Sequence, residues 1–323
     1  MSPAAQLRRR ALLAGPAVLA LPARAQTFPA RPLRVLIPFA PGGFTDIMGR
    51  FLAERLTHAL GQTVVIENKP GAGGSIAAEQ VTSAPADGYT LLLASDAVFA
   101  INQALYAKLP YNPDDLAILG VAATQPNILL AWPGLGVGSV AELIAAAKAK
   151  PDSIAYGSFG NGSVSHLTGA MLAARAGIAL LHVPYRGSAP AQTDLIAGRI
   201  QILFDGAGTA LPQVQAGSVR AIGVSWNRRL AELPDVPTIA ETLPGFDMAS
   251  WFAFATRADV PAPVLARLRE AIGAALASEA FLRFLKERQA EPVPVASADL
   301  PAFLAAARTR WAEAVQRSGA RVE

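Results

Sequence analysis

The stretch Leu33-Arg34-Val35-Leu36-Ile37-Pro38-Phe39-Ala40-Pro41-Gly42-Gly43-Phe44-Thr45-Asp46 decides the fold. Its first half, Leu33 to Phe39, is short, apolar and β-branched, and is bounded by Pro32 and Pro41, so it reads as a buried strand. From Asp46 to Leu60 the apolar residues Ile47, Phe51, Leu52, Leu56 and Leu60 recur on one stripe, the pattern of an amphipathic helix. A buried strand that passes through glycines into such a helix opens a βαβ unit. Repeated units of that kind build a largely parallel sheet with helices on its faces.

The pattern repeats outward from there. Val64 to Glu67 is the next strand, Lys69-Pro70-Gly71-Ala72-Gly73-Gly74 a turn, Ser75 the start of a helix, and Tyr89 to Ala94 a third strand. The alternation restarts near Pro133. Ser139-Val140-Ala141-Glu142 is a capping box opening a helix that runs to about Lys148. Strands are expected at Ile154 to Ser158, Leu180 to Val183, Ile200 to Phe204 and Val219 to Val224, with helices at Val164 to Ala174 and Pro190 to Ala197. Ser250 to Thr256 reads as a strand leading into helical regions at about Pro263 to Arg288 and Ser297 to Arg317. The helical tail either caps the molecule or returns to complete the first unit, and the pattern alone leaves both open. Asn127 to Trp132 and Ser250 to Thr256 are the candidate crossing segments.

With 323 residues, 52% of them apolar and only 16% charged, the chain can bury two α/β cores. The first 25 residues carry Arg8, Arg9, Arg10 and Arg24 and no Lys, Asp or Glu. An apolar run from Ala11 to Leu21 and then Ala23-Arg24-Ala25 follow the arginine triplet. This is the layout of a secretory signal peptide cleaved before Gln26. Arg9-Arg10-Ala11-Leu12-Leu13 also resembles a twin-arginine signal, but the general Sec route is the expectation. Without the leader, 24 Lys+Arg stand against 24 Asp+Glu, so the formal excess of +4 belongs to the leader. Nucleic-acid binding loses its electrostatic support. The chain has no cysteine, which excludes disulfides, thiolate metal sites and a cysteine nucleophile.

Two glycine-rich loops lie at strand-to-helix junctions, one in each unit. The first is Phe39 to Asp46; the second is Ser158-Phe159-Gly160-Asn161-Gly162-Ser163-Val164-Ser165-His166. A helix N-terminus presents unpaired N–H groups and partial positive charge, and glycines admit a ligand close to the backbone. Both loops lie at the carboxyl ends of strands, where open α/β sheets bind ligands, so together they form a candidate anion site. Each also reads as a well-capped helix start, with Thr45, Asp46 and Ser163 as competent caps.

Neither loop is a nucleotide motif: Ser165 and Ile76 stand where G-x-G-x-x-G requires glycine. A secreted serine hydrolase using Ser158 or Ser163 with His166 is the enzyme alternative, but the G-x-S-x-G spacing fails at both serines. His58, His166 and His182 are the only histidines, and they form no metal-ligand set; no metal or cofactor is expected. Tyr185 and Arg186 lie on a strand-to-helix loop, and Asp205 ends the strand Ile200 to Phe204 on the same edge.

Six segments in order then carry a family resemblance: Ile37 to Asp46, Ile66 to Gly74, Ala86 to Leu91, Gly160 to Leu167, His182 to Gly187, and Leu233 to Thr238. The chain resembles the Bug-type receptors of tripartite tricarboxylate transporters. That resemblance implies an α/β, type II periplasmic-binding-protein fold: two doubly wound domains with a ligand cleft between them. It implies that domain one is 26–130 plus 249–323 and domain two 131–248. It also implies that the two loops close on a small carboxylate through backbone N–H groups and ordered water. By residue it marks Ala40, Gly42, Gly43, Phe44, Thr45 and Asp46, then Ser158, Gly160, Asn161, Gly162, Ser163 and His166, with Tyr185, Gly187 and Asp205 beside them. The expected role is that of a non-enzymatic periplasmic receptor, acting as a monomer and delivering its ligand to integral-membrane transporter subunits. Presentation to a membrane sensor is the variant of that role. A valine at Gly43 is expected to block the ligand and to strain any left-handed backbone there.

Overall fold

The computed structural model describes residues 28–321; the leader read from residues 1–25 lies outside them. The opening stretch forms strand β1 (Leu33–Ile37) and helix α1 (Phe44–Leu60). Arg34 is exposed while Leu33, Val35, Leu36 and Ile37 are buried, as expected of a strand covered on both faces. The stripe on α1 that reaches the core is Met48, Leu52, Leu56 and Leu60, with Ile47 and Phe51 at its half-buried edge. The helix ends at Gly61, which takes the left-handed conformation of a C-cap.

The remaining strands are β2 (Val64–Asn68), β3 (Thr90–Ser95), β4 (Leu116–Ala131), β5 (Ala155–Ser158), β6 (Leu181–Pro184), β7 (Ile202–Gly206), β8 (Arg220–Val224) and β9 (Ala249–Arg257). The remaining helices are α2 (Ser75–Thr82), α3 (Asn102–Leu105), α4 (Val140–Ala149), α5 (Val164–Ala176), α6 (Ser188–Ile196), α7 (Ala207–Gln215), α8 (Ala262–Leu276), α9 (Glu279–Lys286) and α10 (Leu300–Ser318).

The strands are hydrogen-bonded in the order β2-β1-β3-β9-β4-β7-β5-β6, with β8 also paired to β4. Pairing is parallel at each end, where β1 joins β2 and β3, and β5 joins β6 and β7. In the middle it is antiparallel, which the strand-helix alternation did not predict. The cause is β4, a 16-residue strand that pairs with β9 from Leu116 to Pro126 and with β7 from Asn127 to Ala131. Strand β4 therefore passes from one half of the molecule to the other.

Helices α8 and α9 pack with α1 on one face of the first half, where Phe44, Phe51, Phe281 and Phe284 cluster. Helix α10 lies against both α5 and the 97–101 turn, and its buried Trp311 joins a core that runs through both halves. A third cluster, which includes Ile128, Leu130, Leu195, Leu203 and Val224, fills the other face of the second half.

Candidate functional site

Each glycine loop contacts the opposite half. Ala40 N–H donates to Arg186 O across the cleft at 2.9 Å, and Tyr106 Oη donates to Asn161 O at 2.8 Å. Gly73 sits so close to the second loop that an added Cβ would lie 2.2 Å from Asn161 O. The halves are thus in contact around an interior cleft lined from both sides.

Its walls come from both halves. From the first loop and its helix come Phe39, Gly43, Phe44 and Thr45; from the second come Phe159, Ser163, Val164 and Ser165. Ser188 opens α6, and Gly206 and Thr209 lie at the start of α7. Four helix N-termini therefore converge on one space. The floor is made by Gln125 and Asn127 on β4 and by Ser250 and Phe252 on β9. Each pair is two residues apart and so shares one face of its strand. Ser95, at the end of β3, completes the lining.

The site's electrostatics rest on the backbone. Among the described residues no Lys or Arg lines the cavity. Helix α1 has no side-chain cap, and the N–H groups of its first turn have no acceptor within the helix. At α5, Ser163 Oγ accepts from His166 N at 3.3 Å, and Val164 and Ser165, the first two residues of the helix, line the cavity. The partial positive ends of α1 and α5 face the same interior. Asp205, the one charged residue in the lining, is fully buried, and burial pushes its carboxyl up. Its oxygens accept from Gly206 N at 2.9 Å, Thr209 Oγ1 at 2.9 Å, Ser188 Oγ at 3.0 Å and Gln192 Nε2. Those four donors occupy it, so it serves the wall by fixing α6 and α7.

Five of the residues marked from the sequence line the cavity: Gly43, Phe44, Thr45, Ser163 and Asp205. The others support the loops from behind. Asp46 accepts from Gly42 N at 3.0 Å and is paired with Arg50 and Asn68, which hold its carboxyl down against burial. Gly42, not Gly43, is the left-handed glycine (φ +87°). A Cβ at Gly43 would meet only ordinary contacts, so a side chain there obstructs the cavity without backbone strain. Ala40 and Gly187 sit against each other where the halves touch. Gly160, Asn161 and Gly162 form the turn before α5: Gly160 O accepts from Ser163 Oγ at 2.6 Å, and Asn161 O takes the Tyr106 bond. Tyr185 Oη donates to Asp194 at 2.8 Å, outside the cavity wall.

Ser158 Oγ lies 2.6 Å from His182 Nε2, not beside His166, and both residues are outside the cavity lining. His182 stacks on His166 at 4.1 Å and on Tyr156 at 4.8 Å. Burial drives His166 down to about 4, and burial together with the charge of His166 drives His182 down to about 3. His166 Nδ1 accepts from Gly162 N at 3.3 Å. This stack braces the second loop, and Ser158 is fully buried beneath it.

The floor residues Gln125, Asn127 and Ser250, and the aromatic walls Phe39, Phe159 and Phe252, were not marked as site residues from the sequence. The available signal was three isolated polar residues inside otherwise apolar crossing strands.

The match to protein families agrees with this geometry. Residues 48–320 match the tripartite tricarboxylate transporter family receptor model. The chain belongs to that family. Among similar solved structures, R. palustris Rpa4515 with adipate shares 34% identity, covering 91% of this chain and 100% of that one, with a TM-score of 0.87. The periplasmic binding protein BugD shares 34% identity, covering 92% and 100%, with a TM-score of 0.86. MatC from Rhodopseudomonas palustris with bound malate shares 30% identity, covering 89% and 100%, with a TM-score of 0.85. The receptor's fold is accordingly the periplasmic-binding-protein fold the sequence led us to expect. Among the described residues no helix is long and apolar enough to cross a membrane.

Proposed function

We propose that the chain is an exported periplasmic receptor that captures a small carboxylate between its two glycine loops and presents it to the membrane subunits of a tripartite tricarboxylate transporter. The observation that carries this reading is that the N-termini of α1 and α5 line one cavity in which, among the described residues, no Lys or Arg takes part. An anion there is held by oriented N–H groups whose positions are fixed before it arrives. The family match and the adipate and malate carried by two similar proteins support the same ligand chemistry.

In this reading the two halves, 26–130 plus 249–323 and 131–248, act as jaws. Strands β4 and β9 are the hinge segments between them. Neither N-terminus alone surrounds a small acid, so the ligand binds the closed arrangement better and shifts the population towards it. Gly43, Phe44, Thr45, Ser163, Val164 and Ser165 form the contact surface for the carboxylate, and Asp205 and Asp46 hold their loops in place. Export to the periplasm through a cleaved leader completes the reading.

The test is calorimetric titration of the mature chain with mono- and dicarboxylates of four to eight carbons, malate, and the corresponding amides. Carboxylates bind and amides do not, if the anion seat is correct. Equal binding of an acid and its amide, or silence across all the acids, overturns the proposal.

A further inference from the structure

The floor of the cavity contains a donor without an acceptor. Asn127 is 3% exposed and lines the cavity, and its Nδ2 has no hydrogen-bond partner among the described residues. Its backbone is fully engaged: Asn127 N donates to Ser225 Oγ at 2.9 Å, and Asn127 O accepts from Ser225 N at 2.9 Å. Ser225 Oγ in turn donates to Met248 O at 2.7 Å, tying the Asn127 strand to the start of β9. The peptide is therefore fixed, and the side-chain amide alone is unspent. Its neighbour on the same face, Gln125, is not equivalent, because its Nε2 already donates to Arg288 O at 2.9 Å. A buried N–H group left unpaired carries a desolvation penalty, so such groups are rare unless something is meant to meet them.

Two aromatic pairs line the same cavity as this donor and the α1 and α5 N-termini: Phe44 with Phe252 (centroids 5.1 Å apart) and Phe39 with Phe159 (6.4 Å). The second pair spans the two halves. The cavity thus holds apolar ring surface together with this donor and the two helix N-termini. We propose that Asn127 reads the far end of the ligand. Its side-chain amide donates to an acceptor atom separated from the anchored carboxylate by an apolar body. This rests on the carboxylate reading above and narrows it. The ligand class is an acid whose far end carries a carbonyl, carboxylate or similar acceptor.

The experiment compares matched ligands on the mature wild-type chain: straight-chain α,ω-dicarboxylates of four to eight carbons, their monoamides, and the monocarboxylates that end in methyl. The best-fitting dicarboxylate or monoamide binds roughly tenfold to a hundredfold tighter than its methyl-ended partner. Asn127→Leu, which keeps the branched skeleton without the donor, erases that preference and binds the monocarboxylate at least as well as wild type. Asn127→Ser is the second variant, and the wild-type comparison stands even if both variants misfold. Equal wild-type affinity for acceptor-ended and methyl-ended acids, or an undiminished preference in a folded Asn127→Leu protein, overturns the role of Asn127 alone. If no acid of any kind binds, the carboxylate reading falls and takes this inference with it.

Discussion

Gly73→Ala tests closure without touching the cavity wall. Gly73 has φ +58° and does not line the cavity; its Cβ would stand 2.2 Å from Asn161 O and 3.1 Å from Gly162 Cα in the opposite half. Since ordinary contact begins near 3.4 Å, the halves must separate by about 1 Å at this point for the methyl to fit. That shift breaks or stretches the Tyr106–Asn161 and Ala40–Arg186 hydrogen bonds, two of the links between the halves. At about 1 kcal/mol each, closure weakens by about 2 kcal/mol, which is an affinity loss of roughly 30-fold. The strain of a left-handed alanine, about 1–2 kcal/mol, burdens open and closed forms alike and lowers the melting temperature without changing affinity. Gly61→Ala is the control, because Gly61 is also left-handed (φ +67°) but an added Cβ there meets nothing within 4 Å. Both variants are titrated calorimetrically with the same carboxylate, and their radii of gyration are followed by small-angle scattering. Affinity for Gly73→Ala within threefold of Gly61→Ala, with wild-type contraction on binding, would refute the reasoning.

Arg186→Ala should cost less than about threefold in affinity, because its side chain is exposed and outside the lining and only its carbonyl serves the closed form; a folded variant that binds nothing would put the carboxylate anchor on Arg186. Asp96 is fully buried, and burial raises its carboxyl from 3.8 to about 8. A raised folded pKa means stability that is present below about pH 4 and lost as pH rises through 8. Asp96→Asn should therefore gain stability over wild type between pH 5 and pH 8 in urea titrations, and a gap independent of pH would contradict this. The histidine stack has the opposite sign. His166 and His182 stay neutral in the fold down to about 4 and 3, while the unfolded chain takes up protons from 6.5, so stability present above 6.5 falls as pH drops towards 4. His182→Gln should flatten that acid limb, and an acid limb as steep as wild type's would rule the stack out as its source.

Much of this molecule is legible in its sequence. Short apolar strands bounded by proline and glycine, such as Leu33–Ile37 and Ala155–Ser158, and helices with a capped start, such as Val140–Ala149 and Val164–Ala176, follow from local patterns. Strand β4 does not, because Gln125, Pro126 and Asn127 interrupt it where it passes from one half to the other, and Pro126 breaks the alternation that marks a strand. Helix α7 was unread for a related reason: it holds Pro212 in its interior and opens on Gly206. The rims of the site could be found because glycine before a helix is a local signal. Its floor could not, since Asn127 and Ser250 acquire meaning only when β4 and β9 lie side by side beneath the cleft, a long-range fact. The same limit explains Ser158, His166 and Tyr185: their types suit a binding loop, but their partners His182, Gly162 and Asp194 turn them to bracing it.

The central claim is that the oriented N–H groups of α1 and α5 hold a carboxylate with no cationic side chain. Mass spectrometry of the small molecule released on denaturing the freshly purified mature protein addresses it most directly. The account predicts a single low-mass acid, present near one per chain and restoring the folded protein's thermal shift when added back. A released amine, sugar or other ligand without a carboxylate, bound at the same stoichiometry, would contradict it.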